Sequence, residues 1–71
     1  MVAGIPGVAH QDAVRALRKA RFQIIRQGKH IVMKGGNRWV VVPRHNPLKA
    51  FTLGIIGRDA RLTAEEFRAL L

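Results

Sequence analysis

Phe22-Gln-Ile-Ile-Arg-Gln-Gly-Lys-His-Ile-Val-Met-Lys-Gly-Gly-Asn-Arg-Trp-Val-Val-Val-Pro43 is the stretch that decides the fold. It holds three short runs rich in β-branched residues, at 22–27, 30–34 and 38–42. Runs of this kind bounded by Gly, Asn and Pro read as strands. Gly28-Lys29 separates the first two, Gly35-Gly36-Asn37 separates the last two, and Pro43 stops the third. Gly and Asn accept the positive φ angles that hairpin turns need. A parallel crossover takes about a dozen residues, and neither connection is that long. The stretch therefore predicts a three-stranded antiparallel meander.

Helices are predicted on both sides of it. Upstream, Pro6-Gly7 marks a turn, after which Val8, Ala13, Val14, Leu17 and Ala20 recur at three- and four-residue steps. That spacing predicts an amphipathic helix over about 9–20 with Gln11, Arg15, Arg18 and Lys19 on its wet face. Asp12 and the pair Arg18-Lys19 suit the two ends of its dipole. Ala9 is a poor cap, so this helix is expected to lean on tertiary packing. Downstream, 44–51 reads as a loop, and Thr52 is expected to cap a weak helix over about 53–60 that contains Gly54 and Gly57. Thr63-Ala-Glu-Glu66 is a capping box opening a last helical turn or two. The expected class is α+β in the order α-β-β-β-α-α. Helices cover one face of the sheet and leave the other open. Residues 1–71 are expected to form a single domain.

A chain of this size buries about 60% of the surface its unfolded form exposes. A homo- or hetero-oligomer would therefore be unsurprising. There is no cysteine, which excludes disulfides and thiolate metal sites. The first residues have neither a basic n-region nor an apolar h-region, so no signal peptide is expected. The longest aliphatic or aromatic run, Trp39-Val-Val-Val42, is far too short for a membrane span. A cytoplasmic protein is the expectation.

Charge narrows the partners. Thirteen Lys and Arg against four Asp and Glu give +9, and eleven of the bases lie in 13–58 with no acid among them. A field so one-sided favours polyanions, and binding to nucleic acid should weaken steeply with salt.

Few residues are suited to chemistry. His10, His30 and His45 lack metal-motif spacing, and no carboxylate pair is evident. No metal or other cofactor is expected. Histidine with cationic helpers is what is left, and it is the side chain best tuned for proton transfer near neutrality. RNA brings its own nucleophile, the 2′-OH, so a base, an acid and positive charge on the phosphorus suffice. His30 is the candidate base: it enters a strand from a tight turn beside Lys29, with Arg26 and Lys34 at strand spacing. A lone histidine at a strand end is more often a surface or hydrogen-bonded structural residue. Arg44 is a candidate phosphate contact through its planar fork, and His45 beside it is a further candidate. Trp39, the only Trp, is expected to anchor the core of the sheet, with base stacking as the alternative.

From Ile5 to Leu70 the chain resembles the HicA toxins, small mRNA-cleaving partners in bacterial toxin–antitoxin pairs. Leu17-Arg-Lys-Ala-Arg-Phe22 resembles the end of that family's first helix. Arg26-Gln-Gly-Lys-His30 resembles its Gly-Ser-His signature. Val41-Val-Pro-Arg-His45 resembles its Pro-x-His segment. Thr52-Leu53, Ile56, Leu62-Thr63 and Glu66-Phe67 follow its C-terminal helical pattern. The resemblance implies a fold like the double-stranded RNA-binding domain and metal-independent endoribonuclease activity on mRNA. It implies His30 as the catalytic histidine and a HicB-type antitoxin covering the active surface. Three positions depart from the family: Lys29 stands for its Ser, and Arg21 and Phe51 stand for glycines. A module of the same fold that binds RNA without cutting it is the alternative.

Overall fold

The computed structural model describes residues 8–71. The turn expected at Pro6-Gly7, and the reading of the first seven residues, lie outside them. The elements are α1 (His10–Lys19), β1 (Gln23–Gln27), β2 (His30–Gly35), β3 (Arg38–Pro43), α2 (Ala50–Asp59) and α3 (Ala64–Leu70). The strands form one antiparallel sheet in the order β1-β2-β3, as expected. No helix among the described residues is long and apolar enough to cross a membrane.

The period of two along β2 and β3 sorts the sheet into two faces. Ile31 and Met33 of β2 and Val40 and Val42 of β3 are buried beneath the helices. The intervening positions, His30, Val32 and Lys34 opposite Pro43, Val41 and Trp39, share the uncovered face. Trp39 is thus not a core anchor: it is 53% exposed on the open side. The run Trp-Val-Val-Val has no polar residue to set its phase. The pairing of Met33 with Val40 on the buried side decides it. β1 follows the same alternation until a bulge between Ile24 and Arg26 shifts its register against β2.

α1 ends in a Schellman motif. The N–H of Phe22 donates to Leu17 O at 2.9 Å and that of Arg21 to Arg18 O at 3.0 Å. Leu17 and Phe22, both buried, supply the hydrophobic contact that accompanies this motif. Phe22 is therefore spent on the helix end and does not open the first strand. Its ring lies so close to Gly35 that a Cβ there would come within 2.9 Å of it. Gly35 pairs with Arg38 and so belongs to β2, and the turn shortens to Gly36-Asn37 with Gly36 at φ +61°. α2 closes the same way, Leu62 N–H donating to Gly57 O and Arg61 N–H to Arg58 O. The residue a Schellman motif holds left-handed is usually glycine. Here it is Arg21 at φ 73° in one helix and Arg61 at φ 62° in the other. Left-handed backbone costs a residue with a Cβ roughly 1–2 kcal/mol. Arg21→Gly is expected to raise stability by about 1 kcal/mol, read as a higher denaturation midpoint at unchanged slope.

α2 begins three residues before the expected start. Leu48 N–H donates to Val8 O at 2.8 Å in an isolated bridge, Lys49 is extended as the N-cap, and the helix starts directly after it. Thr52 lies inside the first turn and is not the cap. α3 opens on the expected capping box. Thr63 Oγ1 accepts from Glu66 N–H at 3.0 Å, and Glu66 Oε1 accepts from Thr63 N–H at 2.8 Å. Phe67 carries α3 onto α1 and α2, and Lys19 Nζ donates to Leu70 O at 3.1 Å.

Candidate functional site

His30 is the first residue of β2 and is exposed. The turn before it is held from two sides. Gly28 N–H donates to His30 O at 3.1 Å, and the Arg44 guanidinium donates to Gly28 O at 3.2 Å. Arg44, expected only as a phosphate contact, thus ties the β1–β2 turn carrying Lys29 to the end of β3. A guanidinium has five N–H donors, so this bond leaves others for a ligand.

Because His30 pairs with Pro43, the chain leaving β3 passes beside it. His30, Pro43, His45, Asn46, Pro47, Leu48, Lys49 and Thr52 line a half-open cleft of about 400 Å³. The two histidines singled out from the sequence thus share one wall-to-wall space. So do Lys49 and Thr52, which sequence reading assigned to a loop and a cap. α2 has no side-chain cap and no acid in its first turn. Its N-terminal dipole therefore favours an anion at the cleft. The hint was Lys49 followed by an apolar run without an acid. It was hidden by the misplaced helix start.

The 44–49 loop is held against the entrance of α1. Asn46 Oδ1 accepts from His10 N–H at 2.8 Å and lies 2.9 Å from His10 Nδ1. Ala9 offers no side chain as a cap, and Asn46 supplies one from 36 positions along the chain. Cap losses cost about 1 kcal/mol. Asn46→Ala is therefore expected to lower stability by about that much, measured by denaturant unfolding.

The other candidates lie outside the cleft. Lys29 is exposed in the turn next to His30. Arg26 pairs with Val32. Lys34 is four residues from His30 along β2, about 13 Å at the usual strand rise. Its Nζ sits 4.9 Å from the centroid of the Trp39 ring. Among the described residues no three His, Asp or Glu side chains converge as a metal site.

Every Lys and Arg of the chain is exposed. Ion pairs among the described residues are Arg15–Asp12 and Arg58–Asp59. All four acids sit on helices: Asp12 on α1, Asp59 on α2, Glu65 and Glu66 on α3. The sheet carries none.

No curated protein matches this chain. Residues 11–62 match a known protein family, described as the HicA toxin of bacterial toxin–antitoxin. The matched span covers most of the chain and includes the meander, the histidine at the head of β2, and the cleft between the sheet and α2. On that match the chain belongs to the HicA toxin family of bacterial toxin–antitoxin systems.

Proposed function

We propose that this HicA-family chain, acting as one domain, is a metal-independent endoribonuclease that cuts mRNA, and that a HicB-type antitoxin silences it. The observation that carries the reading is the cleft that puts His30 and His45 beside the first turn of α2. His30 takes the 2′-OH proton. The 2′ oxygen attacks the adjacent phosphorus, and the bond to the 5′ oxygen breaks as His45 protonates it. Lys29, Arg44 and Lys49 stabilise the charge on the phosphorus, helped by the α2 dipole. Arg26 and Lys34 hold the strand further along.

Purified protein incubated with mRNA in EDTA is expected to give fragments ending in 2′,3′-cyclic phosphate and 5′-hydroxyl. Intact RNA, or cutting only after metal is restored, overturns the reading. Binding without fragments makes the chain an RNA-binding module.

A further inference from the structure

We propose that the open face of the sheet binds unpaired RNA bases, with Trp39 stacking one of them a few nucleotides from the bond cut at His30. The inference rests on the ribonuclease reading above.

The strand register orders this face into three rows. His30 and Pro43 form the row at the cleft, Arg26, Val32 and Val41 the middle row, and Lys34 and Trp39, with Gln23 across from Lys34, the far row. Val41 is exposed and Val32 half-buried, so an apolar floor runs between cations. More than half of the Trp39 surface meets water. Single exposed apolar residues are commonplace, but contiguous ones mark binding surfaces. The Lys34 ammonium sits over one face of the indole, which helps orient the ring and sets a cation next to it for a nucleotide phosphate.

Charge selects the occupant. This face holds Arg26, Lys34 and His30 and no acid, whereas the four acids all lie on helices. An apolar protein surface would have to cover those cations unpaired, at a desolvation cost. A nucleic acid pairs them with phosphate and offers π-faces to the indole. A duplex keeps its bases stacked on one another, so the ligand is single-stranded.

Trp39 is the only tryptophan, so intrinsic fluorescence reports this face alone. The His30→Ala chain is titrated with a short single-stranded RNA of mixed sequence, the same RNA as duplex, and polyglutamate. Saturable quenching by the single strand alone is expected. In anisotropy with labelled RNA, Trp39→Val in that background should bind about tenfold more weakly and Trp39→Phe nearly normally. Circular dichroism checks that each variant folds, which an exposed strand position should allow.

Single-strand binding without quenching, a Trp39→Val chain that binds like its parent, or equal quenching by duplex or polyglutamate each overturns the proposal. If no RNA binds at all, the ribonuclease reading falls with it. If wild type cuts RNA and Trp39→Val in the wild-type background cuts equally well at low RNA concentration, only the stacking site falls.

Discussion

Exchanging His30 for alanine is expected to slow RNA cleavage by about 10²–10⁴-fold, the range over which a positioned general base acts. The loss should fall on kcat, with KM nearly unchanged, because the cations and the α2 terminus still hold the phosphates. Stability should hardly move. The His30 side chain is exposed, and the bonds that fix its turn involve its backbone oxygen and the Gly28 carbonyl, which alanine leaves in place. Single-turnover cleavage beside a denaturant curve separates the two effects. Cleavage at the wild-type rate by a folded His30→Ala chain would remove the proposed base.

Phe67→Ala is expected to leave the chain mostly unfolded at room temperature. Phe67 is 2% exposed, one of the largest fully buried side chains, and the only buried residue of α3. Phe→Ala in a core costs about 3–5 kcal/mol, and a domain of this size rarely has more than about 3–5 kcal/mol in total. Far-UV circular dichroism and a denaturant midpoint measure the outcome. A midpoint close to wild type would mean that α3 is an accessory to the fold. The substitution lies outside the 11–62 span that defines the family match. A large effect would therefore show that the domain needs residues beyond that span.

The meander, both flanking helical regions and the α3 capping box were legible in the sequence, because each depends on neighbours: turn glycines, a period of two, a Thr-x-x-Glu spacing. Features set by distant residues were not. The phase of Trp39-Val-Val-Val42 depends on Met33 across the strands. The start of α2 depends on the Leu48–Val8 bridge, which ends the extended chain at Lys49. The cap of α1 comes from Asn46. Of the candidate site residues, His30 and His45 come together in the cleft, and Lys49 and Thr52 join them unforeseen. Lys34 shares a face with His30 but lies four residues further along β2, and Arg26 sits on β1 opposite Val32, so neither lines the cleft. Arg21 was visible as a departure from a family glycine. Its left-handed backbone gives that departure a physical cost.

The bonds joining the entrance of α1 to the 46–48 loop have a kinetic consequence. The two hairpins of the meander join strands separated by a few residues and can close early. The His10–Asn46 and Val8–Leu48 contacts bring together positions about forty residues apart, a loop whose entropy is repaid only late. The wall of the cleft bearing His45 is thus expected to form in the last step of assembly. A chain with its sheet formed but not this clasp would have one histidine in place and no second wall facing it. Weakening the clasp should act mainly on how fast the finished molecule comes apart, and hardly on how fast it forms.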